Sequence, residues 1–141
     1  MKRTASAVWQ GDLKAGKGTV STESGVLSQT QYSFGTRFEN GKGTNPEELI
    51  AAAHAGCFTM ALSAQLGNAG LVADKLETTA TLSFEKLEAG WTVTQIHLDV
   101  RGKVAKADVT AWEKATAAAK ADCPISRLLN TTITMSAKLE T

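Results

Sequence analysis

Two cysteines, Cys57 and Cys123, carry the sharpest chemical potential in this sequence, and they lie 66 positions apart (123 − 57) with no CxxC spacing. A thiol is a nucleophile only as its thiolate, and a free cysteine at neutral pH is mostly protonated, so reactive chemistry needs something nearby that lowers the pKa. His54 falls three residues before Cys57, a spacing that shares one helical face, so a Cys–His nucleophile pair is conceivable. A satisfied core histidine is the ordinary reading in so alanine-rich a stretch. His54, Cys57, His97 and Cys123 are ligand types that zinc accepts, but their spacings match no common structural zinc pattern. No metal and no cofactor is expected. Two buried, idle thiols are the bland alternative for the pair.

These residues need elements to hold them. Residues 4–10 alternate, with Ala5, Ala7 and Trp9 on one face, and 19–22 and 30–38 are further short strand candidates. The cluster Glu39-Asn40-Gly41-Lys42-Gly43 turns the chain. Asn45 then reads as a helix N-cap, with Pro46 at the first helical position and Glu48 three residues after the cap. This helix runs to Leu66 and stops at Gly67-Asn68. It is apolar or small nearly all round, so one sheet cannot cover it, and a second copy of the chain is the simplest cover. Residues 76–86 and 91–103 predict a hairpin through Glu88-Ala89-Gly90. A second helix over 108–122 ends at Cys123-Pro124; a helical turn over 125–129 and a strand over 131–139 follow. The pattern is α+β, with antiparallel sheets around a long central apolar helix plus a second helix, in a single domain spanning 1–141.

Composition narrows the function classes. Fifteen basic against 14 acidic side chains leave a net charge of +1, with no basic cluster, so nucleic acid is not an expected partner. Residues 49–73 hold no Asp, Glu, Lys or Arg, but their apolar members are mostly alanine, which transfers weakly into lipid. The stretch reads as a core helix and no membrane is expected. The N-terminus has no apolar signal core, so a cytoplasmic location is expected, where an inert structural disulfide is uncommon.

The runs Thr44-Asn45-Pro46-Glu47-Glu48-Leu49, Ala52-Ala53-His54-Ala55-Gly56-Cys57-Phe58 and Cys123-Pro124, with Trp9-Gln10-Gly11-Asp12 and Gly16-Lys17-Gly18-Thr19, carry a resemblance over nearly the whole chain. Together they resemble the osmotically inducible protein C and organic hydroperoxide resistance (OsmC/Ohr) family, nearer the OsmC branch. The resemblance implies an intertwined homodimer that reduces organic hydroperoxides, and hydrogen peroxide more weakly, in oxidative-stress defence. It implies that Cys57 attacks the peroxide and that Cys123 resolves the sulfenic acid as a disulfide. It also implies an Arg–Glu pair beside the attacking thiol, which maps onto Arg37, on the strand before the turn, and Glu47. A dithiol such as a dihydrolipoyl group is the implied reductant.

The physical chemistry runs parallel. Cys57 lies three turns into its helix, beyond useful reach of the helix dipole, so a cation must lower its pKa. Arginine stays charged when buried and can hydrogen-bond peroxide oxygens, and a carboxylate would hold its orientation. Ten residues at about 1.5 Å of rise set Glu47 and Cys57 roughly 15 Å apart on one helix. Each site is therefore expected to take Cys57 from one subunit and Arg37–Glu47 from the other, with an irregular helix start as the alternative. Phe58, Ile125 and Leu128 are candidate linings for an alkyl pocket. A non-catalytic redox-sensing or ligand-binding dimer is the second reading of the whole, though no output module is visible.

Overall fold

The computed structural model describes all 141 residues, which divide into two compact units, Met1–Leu49 and Ile50–Thr141.

In the first unit, β1 (Ala5–Gln10), β2 (Lys17–Thr22) and β3 (Thr30–Tyr32) form an antiparallel sheet in that order. Gly18 stands opposite Trp9 on one side and Tyr32 on the other. A Cβ there would lie 2.5 Å from the Tyr32 ring and 2.6 Å from the Trp9 ring, so glycine is what lets the two rings meet, with centroids 5.5 Å apart. The chain then departs from the strand expected over 30–38. After β3, Ser33 caps a short helix, α1 (Phe34–Phe38). The Ser33 hydroxyl accepts from the Thr36 N–H and the Thr36 hydroxyl accepts from the Ser33 N–H. That reciprocal cap overrides the β-type alternation of the segment.

Helix α2 (Pro46–Asn68) opens at the end of this unit and continues through the second. Asn45 caps it as expected, accepting from the Glu48 N–H at 2.8 Å. The Glu48 carboxylate instead accepts from the Thr44 hydroxyl. In the second unit, β4 (Lys75–Leu87) and β5 (Gly90–Lys103) make the expected antiparallel hairpin. Helices α3 (Val109–Asp122) and α4 (Pro124–Leu128) then carry the chain to β6 (Thr132–Glu140). The crossover returns the chain to its starting end, so β6 pairs with β5 in parallel. The α+β class holds, while uniformly antiparallel pairing does not.

Phe58, Leu62 and Leu66 of α2 pack with Ile96, Leu98 and Val100 of β5 and with Trp112, Ala115 and Ala119 of α3. His54, Phe58, Leu62 and Leu66, one per turn, bury one stripe of α2, so this helix, long and apolar enough to cross a membrane by length and composition, serves as a core helix. Its other faces stay open, with Met60 77% exposed.

Candidate active site

The second unit brings Cys57 and Cys123 together. Cys57 projects half-buried from α2, and Cys123 is fully buried where α3 ends and α4 begins. Both are free thiols, and their Sγ atoms share a hydrogen bond at 2.9 Å. Pro124 at the first position of α4 makes Cys123 its N-cap residue. That turn sets which sulfur is easier to ionise.

Burial pushes the Cys57 thiol above its ordinary value, and the hydrogen bond and charge of Cys123 push it further; the Ile125 N–H works weakly the other way. Burial also opposes charge on Cys123. There it is outweighed by the hydrogen bond from Cys57, the N–H and hydroxyl of Ser126 and the N–H of Ile125, which hold the Cys123 thiol below its ordinary value. Within this unit the surroundings favour a thiolate at Cys123 over one at Cys57. No cation is among the groups acting on either thiol.

The first unit holds Arg37 and Glu47. The guanidinium Nε donates to both carboxylate oxygens at 2.9 and 3.2 Å, and Nη2 donates to Oε1 at 2.7 Å. Arg37 belongs to α1 and not to a strand, in its last turn, and its guanidinium lies 5.2 Å from the Phe38 ring. Asn45 ties the two short segments together. Its amide donates to the Thr36 carbonyl at 3.0 Å while its oxygen caps α2, so Arg37 and Glu47 are aimed by one side chain. With the arginine side chain 39% exposed, the ion pair contributes about 1 kcal/mol or less to stability, so orientation is its larger effect. A cavity of about 200 Å³ beside Arg37 is lined by Trp9, Leu13, Tyr32, Phe34 and Phe38.

The comparisons with known proteins decide the family. The family model described as "OsmC-like protein" matches residues 39–138. The chain belongs to the OsmC-like family. It is 50% identical to the peroxiredoxin OsmC of Escherichia coli K12 over 138 residues, covering 98% of this chain and 96% of that protein. The peroxiredoxin OsmC of Shigella flexneri matches to the same extent. Among solved structures, the organic hydroperoxide resistance protein OhrB of Bacillus subtilis aligns with a TM-score of 0.67 at 25% identity, over 97% of this chain and 98% of that one. An OsmC-like protein of unknown function from Vibrio cholerae shares the fold, with a TM-score of 0.79 at 16% identity over 98% and 99% of the two chains. Identity at that level over nearly the full length makes this OsmC-like chain an oxidoreductase.

Other residues of the OsmC-like chain fall differently from the sequence reading. Phe58 is wholly inside the core and Leu128 is 73% exposed, so they do not line one pocket; an aromatic cavity lies beside Arg37. His97 lies on β5, bonded to Thr134 and Ser136. His54 is fully buried, and its Nε2 lies 2.7 Å from the Ser126 hydroxyl. Ser126 escaped the sequence reading. Its signal was present, since Cys-Pro-x-Ser puts a hydroxyl residue three positions after a capping cysteine, facing back toward the cap.

Proposed function

We propose that this chain is a thiol-dependent peroxidase that reduces organic hydroperoxides to alcohols, with Cys57 as the attacking thiol and Cys123 as the resolving one. The observation that carries the proposal is the pair of free thiols at 2.9 Å, one accessible and one buried. Thiols so close can be bridged with little backbone movement once one is oxidised. The names of the half-identical relatives support peroxide as the oxidant class.

The reaction balances without a cofactor. The Cys57 thiolate attacks the distal peroxide oxygen, the O–O bond breaks, and the alkoxide leaves and takes a proton as the alcohol. Cys57 is left as a sulfenic acid. Cys123 attacks that sulfur, the S–O bond breaks, and a disulfide and water result. An external dithiol, for which a lipoyl group is suited, then reduces the disulfide.

Cys57 needs a cation that its own surroundings lack. Arg37, steered by Glu47, is the proposed source; it would stabilise both the thiolate and the leaving alkoxide. Helix α2 runs unbroken between Glu47 and Cys57, which separates them by roughly 15 Å of rise. The Arg37–Glu47 pair is therefore proposed to serve Cys57 of a second subunit in an intertwined homodimer. The open apolar faces of α2 around Met60 support such an interface. In this reading the whole chain acts as a single domain, and the aromatic cavity beside Arg37 favours an alkyl or aryl hydroperoxide over hydrogen peroxide. A cytoplasmic location fits a thiol pair that must be returned to its reduced form.

The test is consumption of cumene hydroperoxide by the reduced protein, with and without a dihydrolipoyl dithiol. Many turnovers with dithiol, and a trapped Cys57–Cys123 disulfide without it, support the peroxidase. One equivalent or less with every dithiol would move the weight to a redox sensor.

A further inference from the structure

Cys57 and Cys123 are one rung of a four-residue arrangement. His54 and Cys57 are three residues apart on α2; Cys123 and Ser126 are three residues apart across the start of α4. The thiols join the helices at 2.9 Å, and His54 Nε2 and the Ser126 hydroxyl join them again at 2.7 Å. The second rung is buried at both ends, and His54 Nδ1 has no hydrogen-bond partner.

That unpartnered nitrogen fixes the direction of the rung. Burial keeps the imidazole neutral, so it has one N–H to place. A proton on Nδ1 would be an orphaned buried donor, which native structures avoid more strictly than an unused acceptor. The proton therefore belongs on Nε2 and is donated to the Ser126 oxygen. The serine's own proton is then free to point at Cys123.

We infer that Ser126, oriented by His54, is a positioning residue for the resolving step, turning its hydroxyl proton toward Cys123 and keeping that sulfur facing Cys57. The inference rests on the peroxidase reading above and extends it to residues that reading does not use. In the step itself, Cys123 enters as the thiolate, its lone pair forms the S–S bond, and the S–O bond of the Cys57 sulfenic acid breaks. The departing hydroxide takes a proton from water or buffer. The oxidising equivalent comes from the hydroperoxide alone.

The polar groups acting on Cys123 are few: Cys57 from α2, and Ser126 with the Ile125 N–H from α4, while His54 reaches Ser126. Asp122 and Arg127 are exposed, and Lys120 lines an open cavity with Ser126 without acting on the thiol. Loss of the Ser126 donor is thus expected to raise the Cys123 pKa. That lowers the thiolate fraction while the nucleophilicity of the remaining thiolate rises with its basicity, so titration alone slows resolution only modestly. A larger slowing reports lost positioning.

The experiment follows sulfenic acid, disulfide and sulfinic acid by mass spectrometry after one equivalent of cumene hydroperoxide, across pH. The chains are wild type, Ser126→Ala, His54→Gln and the double variant His54→Leu/Ser126→Ala, which leaves no orphaned partner. Slower disulfide formation, a pH midpoint moved upward and more Cys57 sulfinic acid are expected in Ser126→Ala and the double variant. His54→Gln, which keeps a donor near Nε2, should stay close to wild type. Wild-type rates and midpoint in a folded Ser126→Ala chain would overturn the inference. A second readout needs no peroxide: the thiolate absorbance of Cys123 in a Cys57→Ser background, with and without Ser126→Ala. A raised midpoint there supports the Ser126–Cys123 bond even if the wild type forms no sulfenic acid, an outcome that would sink the peroxidase reading instead. An unmoved midpoint counts against the bond.

Discussion

Cys57 and Cys123 face each other at 2.9 Å, roughly 0.9 Å beyond a covalent S–S bond, yet the surrounding dipoles favour charge on Cys123. The buried partner is the easier of the two to ionise. In the proposed reaction this polarity favours resolution over attack until a cation reaches Cys57. Removing Cys57 as serine is therefore expected to lower peroxide turnover by roughly three orders of magnitude or more. Cys123→Ser should still form the sulfenic acid and then accumulate Cys57 sulfinic acid, read by mass spectrometry. If Cys57→Ser turned over while Cys123→Ser did not, the roles would have to be exchanged.

The Arg37–Glu47 pair makes a second prediction. Arg37→Gln should lower kcat/KM for cumene hydroperoxide by about 10²–10³, the usual effect of removing a donor aimed at developing charge. Arg37→Lys should recover little, because an ammonium lacks the planar fork by which Nε and Nη2 of the guanidinium engage the Glu47 carboxylate. Glu47→Gln, which disturbs only the aim, should lose about tenfold or less. None of the three should move stability by more than about 1 kcal/mol in urea melts. A large stability loss with unchanged kinetics would make the pair architectural.

His54 sets an acid limit on stability. Its burial lowers the pKa in the folded chain, so the unfolded chain takes up the proton first, at the ordinary value of 6.5. Stability should therefore be flat above that pH and fall as pH drops below it, by up to about 1.4 kcal/mol per unit, until the folded-state value is reached. His54→Gln should remove this part of the slope. Urea midpoints at pH 7.5, 6.5 and 5.5 test it, and identical slopes in both proteins would locate the acid sensitivity elsewhere.

Gly102 is a stability test of the core. On β5 its missing Cβ is replaced by Trp112, whose ring carbons would lie 2.3 and 2.5 Å from an added methyl. Gly102→Ala must displace a buried tryptophan and should cost about 1–3 kcal/mol. Denaturant melts following Trp fluorescence measure it, and a neutral result would mean the ring has room to move.

Much of this was legible in the sequence because the signals were local. Asn45-Pro46 with Glu48 fixed the start of α2, and the glycine-linked hairpin of β4 and β5 was set by alternation and its turn. Cys123-Pro124 marked the end of α3 for the same reason. The 30–38 segment failed because Ser33 and Thr36 close a cap that period-two alternation does not report. The parallel pairing of β6 failed because alternation says which residues share a face and nothing about strand direction. The His54–Ser126 contact joins residues 72 positions apart, and no local pattern encodes it.

The sharpest prediction concerns which subunit supplies what. Cys57→Ser chains and Arg37→Gln chains should each be inactive as pure dimers. If Arg37 serves Cys57 across the interface, a hybrid of the two has one site with both residues intact and one with neither. Random exchange makes about half the dimers hybrids with one working site of two, so the mixture should regain about a quarter of wild-type activity. If each chain completes its own site, every site in the hybrid lacks one residue and nothing returns. Mixing after mild urea exchange, with light scattering to follow the dimer, separates the outcomes. Met60→Asp on the open face of α2 supplies the control, since a chain that stays monomeric should be inactive with all four site residues present.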